Sequence, residues 1–289
     1  MHPGAFIVQL LRPAVAALAA LLIAQPASAQ PARDKPFEPH VGQAGKDVIW
    51  VPTPDDVVDR MLRMAQVTPN DYVVDLGAGD GKIAIAAAKR FGARALGIEY
   101  NPDMARHAQQ NVERAGVAGR AKIVQGDIFV SDFSQATVVT MYLLPALNLK
   151  LRPQILAMRP GTRVVSHSFS MDDWEADEVS SLDGRRAYFW VVPASVGGTW
   201  TLEVVGGGKS EKLELTFEQK FQKIEGTVSL GPLLGGLREP RLRGFHIAFA
   251  YVDNAGVRRE FTGRVSGARM EGSFRADSGT EGRWTAAKR

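Results

Sequence analysis

The sequence predicts a doubly wound α/β domain with a mostly parallel sheet, followed by an antiparallel, barrel-like all-β module. Between residues 49 and 195, short apolar runs alternate with amphipathic helical segments, which is the rhythm of βαβ units. After Val196 the apolar residues recur at every second position instead, as they do in half-buried antiparallel strands. We therefore place the α/β domain at 49–195 and the all-β module at 196–289.

Pro, Gly and Asn turn residues delimit the elements of the α/β domain. Thr53 is expected to cap the first helix, with Pro54 in its first turn. Asn101 and Pro102 are expected to start a later helix in the same way. The predicted strands are 72–76, 95–99, 121–125, 137–142, 162–169 and 187–192, and the later helices are about 81–91, 102–115 and 145–158.

The all-β module is expected to contain about six or seven strands. Its clearest alternation runs through Phe245, Ile247, Phe249 and Tyr251, and turn residues at 253–256 follow. Glycines interrupt several of its apolar runs, as they do where a small barrel bends sharply.

The N-terminus resembles a secretory signal. An apolar run at 14–24 follows Arg12 and precedes a small-residue cleavage pattern at 27–29. We therefore predict a signal peptide at 1–29, a flexible spacer at 30–48 and an exported, periplasmic or membrane-anchored protein. An uncleaved segment would associate with a membrane, whereas a misassigned start codon would leave the chain in the cytoplasm.

Charge and composition exclude several kinds of site. From residue 30 to 195 there are 19 Lys and Arg against 20 Asp and Glu, whereas 196–289 has 15 against 11. The near-neutral α/β domain lacks the basic excess expected beside a nucleic-acid site, so no nucleic-acid partner is predicted. The chain has no cysteine, and no His, Asp or Glu cluster has metal-ligand spacing, so no metal is predicted.

A glycine-rich loop follows the first predicted strand and opens the next helix. Asp75, Gly77, Gly79 and Gly81 form the pattern acid-x-Gly-x-Gly-x-Gly. A dinucleotide fingerprint would require glycine where Lys82 stands. An acid at the strand end favours a ligand with a cationic amino group and a sulfonium over a pyrophosphate.

Two further acids end the next two predicted strands. Glu99 is placed to accept hydrogen bonds from a ribose diol, and Asp127 from the exocyclic amine of adenine. Carboxyl ends of successive parallel strands meet at one edge of the sheet, where ligands bind. The three acids and the loop therefore predict one nucleoside-binding site.

These motifs resemble those of class I S-adenosylmethionine methyltransferases, particularly the group that modifies lysines of the mitochondrial ATP synthase c subunit and the adenine nucleotide translocase. The resemblance implies a Rossmann-like fold, S-adenosyl-L-methionine as cofactor and methyl transfer to a protein lysine. A small-molecule acceptor, or a non-catalytic cofactor-binding envelope protein, stays open, because an exported enzyme lacks a known cofactor supply. The motifs are 51–54 (VPTP), 75–83 (DLGAGDGKI), 136–139 (ATVV), 142–145 (YLLP) and 163–167 (RVVSH).

Fewer residues predict the part of the site that binds the methyl acceptor. Tyr142 is the candidate catalytic residue, because its ring or hydroxyl could orient an amine, although a core role is equally compatible. Asp172, Asp173 and Trp174, in an acidic stretch after the fifth strand, are candidate substrate-binding residues, together with Thr53 of the first motif. The alternative for the acids is a solvated face.

Overall fold

The computed structural model describes residues 37–47 and 49–289. The predicted signal peptide, and residues 30–36 and 48 of the predicted spacer, lie outside this part of the chain. Residues 37 to 289 form one compact unit. In the part that the structure describes, no helix combines the length and the apolar character needed to cross a membrane.

The first half of this unit is a seven-stranded sheet with helices between its strands, which confirms the predicted α/β class. The strand order is β3-β2-β1-β4-β5-β7-β6, and only β7 runs antiparallel to its neighbours β5 and β6. The elements are α1 (Asp55–Met64), β1 (Tyr72–Leu76), α2 (Lys82–Phe91), β2 (Arg94–Glu99), α3 (Pro102–Arg114), β3 (Ala121–Gln125), β4 (Val138–Met141), α4 (Pro145–Leu156), β5 (Arg163–His167), β6 (Glu178–Leu182) and β7 (Arg185–Val191).

The predicted N-caps of two helices can be compared with the structure. Asn101 caps α3 as predicted, because its side-chain oxygen accepts hydrogen bonds from the backbone N–H groups of Asp103 and Met104, at 2.9 and 3.0 Å. The prediction for Thr53 was wrong. Pro54 occupies the cap position of α1 without a side-chain hydrogen bond, and Thr53 is buried instead.

The second half is an antiparallel sheet that curls into a nearly closed barrel. It has nine strands rather than six or seven, in the order β11-β10-β9-β8-β16-β15-β14-β13-β12. The predicted number was too low; the Gly- and Pro-containing sequence around the short β11 and β12 is typical of turns rather than strands. The strands are β8 (Gly198–Gly206), β9 (Lys209–Lys220), β10 (Lys223–Leu230), β11 (Leu233–Gly236), β12 (Arg238–Arg243), β13 (His246–Val252), β14 (Arg258–Ser266), β15 (Arg269–Ala276) and β16 (Glu281–Lys288).

Trp174 joins the two halves. Its side chain is completely buried, its ring centroid lies 5.9 Å from those of Trp190 and Phe221, and its Nε1 donates to Gln222 Oε1 at 3.0 Å. Because Phe221 and Gln222 belong to the β9–β10 turn of the barrel, Trp174 fastens the barrel to the α/β sheet. The complete burial of Trp174 contradicts its prediction as a substrate-binding residue.

Candidate functional site

A cavity of about 290 Å³ opens at the carboxyl edge of the parallel sheet. Its walls come from the loops after β1, β2, β3 and β4, which this strand order brings together. This is the topological switch point, where β1 lies between β2 on one side and β4 on the other. The predicted cofactor residues Asp75, Gly77, Gly79, Glu99 and Asp127 all line it.

The glycine loop is held in a conformation that other residues rarely adopt. Gly77, Gly79 and Gly81 have φ angles of 78°, 53° and 82°, all in the left-handed region. A Cβ on Gly79 would lie 2.4 Å from the indole Nε1 of Trp50, so only glycine allows this close approach. Gly81 does not line the cavity; it starts α2, and a Cβ there would lie 3.3 Å from Ala108 Cβ on α3.

Asp75 is a buried carboxylate at the end of β1. It is 2% exposed, and its Oδ1 accepts a hydrogen bond from the Thr140 hydroxyl at 2.8 Å. Burial raises the pKa of Asp75 to about 7, and the neighbouring charges of Asp80 and Glu99 add to this, against the lowering effect of Thr140. A cationic group in the cavity would favour its ionised form.

Glu99 ties two loops together at the end of β2. Its two carboxylate oxygens accept hydrogen bonds from the backbone N–H groups of Gly79 and Asn101, each at 2.9 Å. A carboxylate oxygen has two lone pairs, so both oxygens retain capacity to accept from a ribose diol. Glu99 therefore positions the glycine loop and lines the cavity with the same side chain.

Asp127 is paired with a lysine that the sequence analysis did not single out. Its Oδ2 accepts from Lys46 Nζ at 2.7 Å, and its Oδ1 accepts from the Phe129 N–H at 3.0 Å. The hydrogen bond from Lys46 is the main reason why the pKa of Asp127 is lowered. Lys46 also lies over the ring of Tyr100, 4.6 Å from its centroid. An adenine amine at Asp127 would share this carboxylate with Lys46 or displace it.

Lys46 belongs to a segment, here called the strap (residues 43–47 and 49–53), that covers the cavity. Backbone hydrogen bonds from the Gly42 N–H to Trp50 O and from the Trp50 N–H to Gln43 O, both 2.9 Å, close it into a small hairpin. Residues 43–47 of the strap fall in the predicted flexible spacer, and here the structure shows these backbone hydrogen bonds and the ion pair of Lys46 with Asp127. The strap has no periodic pattern of apolar residues, so only its contacts with loops far away in the sequence identify its role.

The other end of the cavity is aromatic. Tyr142 follows β4, and its ring centroid lies 4.0 Å from that of His167 and 6.2 Å from that of Phe169. His167 is 3% exposed, and its Nδ1 is in hydrogen-bond contact with Thr53 Oγ1 at 3.2 Å. Burial, helped by the positive charge of Arg185, lowers the pKa of His167 to about 4, so this ring is neutral at pH 7.

The acidic stretch does not reach this cavity. Neither Asp172 nor Asp173 lines it, and Asp173 pairs with Arg152 at 2.6 Å and with Lys220 at 3.2 Å. Both cations hold the pKa of Asp173 below its usual range. The stretch continues into β6, which was not predicted. The structure thus brings Thr53 and Tyr142 to the cavity, but not Asp172, Asp173 or Trp174.

The donors and acceptors of the cavity fit S-adenosylmethionine. Asp75 supplies a buried negative charge for a cationic amino group, Glu99 supplies acceptors for a diol, and Asp127 supplies an acceptor for an amine. Within the described residues, no group of His, Asp or Glu has the arrangement that a metal ion requires.

Comparison with known proteins gives the same assignment. A family model described as the ANTKMT methyltransferase domain matches residues 75–178. A protein-lysine N-methyltransferase of Saccharolobus islandicus is 49% identical over 151 residues, which cover 50% of this chain and 94% of that protein. A Mus musculus enzyme, named as a lysine N-methyltransferase of the ATP synthase C subunit, is 32% identical over 160 residues, covering 54% of this chain and 64% of that protein.

A solved structure is equally similar. The crystal structure of an RNA methyltransferase from Salinibacter ruber in complex with S-adenosyl-L-homocysteine is 50% identical, with a TM-score of 0.50, and is matched over 96% of its length by 50% of this chain. The glycine loop, the acids at the strand ends and these relatives agree. The chain therefore belongs to this family of S-adenosylmethionine-dependent methyltransferases.

Proposed function

We propose that this methyltransferase acts on the ε-amino group of lysine residues in a protein. The sign of the charges around the cavity is the observation that supports lysine most strongly. The lining includes five carboxylates, three of which are assigned to the cofactor above, but only two basic side chains, Lys46 and Lys82. Both lysines are in ion pairs, with Asp127 at 2.7 Å and Asp55 at 3.0 Å. Such a cavity suits a cationic side chain and repels a phosphodiester.

Some relatives are named protein methyltransferases and one is named an RNA methyltransferase, so the names alone do not identify the acceptor. The Saccharolobus protein is named a protein-lysine methyltransferase and the Salinibacter protein an RNA methyltransferase, at 49% and 50% identity. An RNA acceptor is the second candidate. The acidic lining favours lysine, because an RNA acceptor would bring its phosphates into a region without an unpaired cation among the described lining residues.

The aromatic end of the cavity suits the acceptor step. The cofactor supplies a methyl group on a sulfonium, and an amine must present its lone pair in line with that bond. Lysine must first lose its proton to solvent, and the apolar wall of Tyr142, Leu144 and Phe169 favours its neutral form. His167 fixes the ring of Tyr142 by packing, and as a neutral imidazole it adds no repulsive charge. The Tyr142 hydroxyl then orients the amine.

The test is to identify the methylated atom. The purified chain is incubated with methyl-labelled S-adenosylmethionine and both the protein and the RNA fractions of cells, and the products are located by mass spectrometry. We expect label on lysine Nε. We expect Tyr142→Phe to lower kcat by about tenfold, because one orienting hydrogen bond is lost.

The matched control is Tyr188→Phe, since Tyr188 lies on β7 outside the cavity lining; it should leave kcat unchanged. Label on RNA, on a carboxylate or on a small metabolite would refute the lysine assignment. Cofactor binding without any transfer would favour a non-catalytic binding protein.

A further inference from the structure

The outer face of the barrel carries a second hollow, of about 820 Å³, that has no part in the cofactor cavity. One row of outward-facing residues crosses five neighbouring strands there, from β12 through β13, β14 and β15 to β16. The row reads Arg241, Ala248, Thr262, Ser273 and Arg283. Long side chains therefore stand at both ends of the row and small ones in its middle, which produces the hollow.

The floor of the hollow depends on glycine. Gly263 and Gly272 face each other across β14 and β15, and the ring of Trp284 passes beneath them. A Cβ on Gly263 would lie 2.5 Å from that ring, and one on Gly272 would lie 1.9 Å from the carbonyl oxygen of Thr262. Trp284 Nε1 donates to the carbonyls of Thr262 and Ser273, at 3.0 and 3.1 Å. These contacts keep β14 and β15 close to the Trp284 ring at the centre of the barrel's outer face.

The rim of the hollow is basic and has no ion pairs in the described part of the chain, although Arg264 lies over the ring of Phe245, 4.1 Å from its centroid. Four arginines line it, namely Arg241, Arg243, Arg264 and Arg283, against a single acid, Glu271. In the described part of the chain, none of the four arginines has a carboxylate within 4.0 Å, and Glu271 is likewise without an ion pair. The four arginines and Glu271 thus give the lining a formal net charge of +3.

The adjacent outward positions of the same sheet are different. Arg258 pairs with Glu260 at 3.1 Å and with Glu239 at 3.6 Å, and Arg275 pairs with Glu260 at 3.2 Å. Arg258 and Arg275 are therefore neutralised beside the hollow, whereas the four arginines of its rim have no ion pair in the described part of the chain. A cluster of unpaired like charges lowers stability by mutual repulsion, and an anionic occupant would relieve this cost.

The shape and the side chains of the hollow favour one class of anionic ligand over the others. The arginine fork binds carboxylates and phosphates through paired hydrogen bonds. Single-stranded nucleic acid also requires exposed aromatic rings for base stacking, but Trp284 is 1% exposed, beneath the floor, which leaves the imidazole of His246 as the one exposed ring of the lining. A bilayer surface does not fit a concave face. An extended protein segment does fit, because five strands span at most about 19 Å, the length of about six extended residues.

We propose that this hollow, residues 241–285 of the barrel's outer face, docks an extended acidic segment of a protein partner. The arginines at its rim pair with successive carboxylates, and the small residues of its centre leave room for the partner's backbone. The proposal concerns binding by the barrel, so it holds whichever acceptor is methylated.

The test measures binding of a fluorescein-labelled oligoglutamate to the purified 289-residue chain by fluorescence anisotropy. We expect saturable binding that weakens as salt is raised. The double variant Arg264→Gln/Arg283→Gln should weaken it at least about tenfold, because two charged hydrogen-bond donors are lost. Glu271→Gln removes the single acid and should tighten binding, a gain that a misfolded variant would not show.

The matched control is Arg275→Gln, which lies on the same sheet outside the hollow and should leave oligoglutamate binding unchanged. S-adenosylmethionine affinity should be the same in all these proteins, so a failed cofactor site would be recognised separately. The proposal is overturned if oligoglutamate does not bind, or if Arg275→Gln weakens binding as much as the double variant. It is also overturned if single-stranded oligouridylate binds more tightly and is lost with the same arginines.

Discussion

Replacing Asp75 with asparagine should stabilise the cofactor-free protein above pH 7 and remove most of its affinity for S-adenosylmethionine. The pKa of Asp75 is about 7 in the folded protein against 3.8 as a reference. The folded state therefore binds the proton more tightly, and the stability from this site is present below pH 3.8 and lost as the pH rises through 7. At about pH 8.5 the buried charge costs up to about 4 kcal/mol.

The measurement is thermal unfolding of protein freed of cofactor, at about pH 6 and about pH 8.5, on either side of the raised pKa. The gain in Tm for Asp75→Asn should be larger at the higher pH, because asparagine keeps the hydrogen bond from Thr140 without the charge. Asp183→Asn is the control, since Asp183 lies exposed in the β6–β7 turn and should change Tm at neither pH. If Asp75→Asn leaves Tm unchanged or lower at the higher pH, the buried carboxylate is not a source of instability.

Replacing Trp174 with alanine should lower the free energy of unfolding by about 3–5 kcal/mol, the range for a large buried aromatic side chain. The ring fills the contact between Trp190 and Phe221, so its loss leaves a cavity between the sheet and the barrel. Urea unfolding followed by tryptophan fluorescence measures the change. Trp174→Phe keeps most of the packing, so it should lower the free energy of unfolding by only about 1 kcal/mol, through the lost hydrogen bond to Gln222.

The same variants separate a structural role for Trp174 from the substrate role that the sequence suggested. Trp174→Phe should leave the acceptor KM and the cofactor affinity unchanged, because Trp174 does not line the cavity. If the acceptor KM rises in Trp174→Phe while stability is unaffected, the structural interpretation is wrong.

The residues of the cofactor half of the site could be predicted because their signals are local. Alternating apolar runs locate the strands, and the glycine pattern locates the loop after β1, whose glycines adopt positive φ angles. Asp75, Glu99 and Asp127 follow from the strand ends, because parallel strands place their carboxyl ends at one edge. Gly81 shows the limit of the pattern, since the same glycine signal serves helix packing rather than the cavity.

The remaining features depend on contacts between residues far apart in the chain. The strap carries no periodic signal, and its lysine meets Asp127 only in the folded protein. The pairing of the acidic stretch could not be predicted because its partners are distant in the sequence: Asp173 pairs with Arg152 and Lys220, and Glu175 pairs with Lys223 at 2.7 Å. Part of the basic excess of the barrel therefore neutralises the α/β domain at their contact.

Calorimetric titration with S-adenosylmethionine is the decisive measurement, because the methyltransferase assignment and the proposed lysine acceptor both depend on the cavity behind the strap binding this cofactor through the acids at the strand ends. The wild-type chain should bind with a dissociation constant in the micromolar range, within the usual range for enzyme ligands. Glu99→Ala should weaken binding by about 1.5–3 kcal/mol, as expected for hydrogen bonds to a charged group. Glu99→Gln keeps one acceptor oxygen, so its affinity for S-adenosylmethionine should lie between those of the wild-type chain and Glu99→Ala. No binding to the intact chain, or equal affinity in Glu99→Ala, would show that the cofactor is not held in this way.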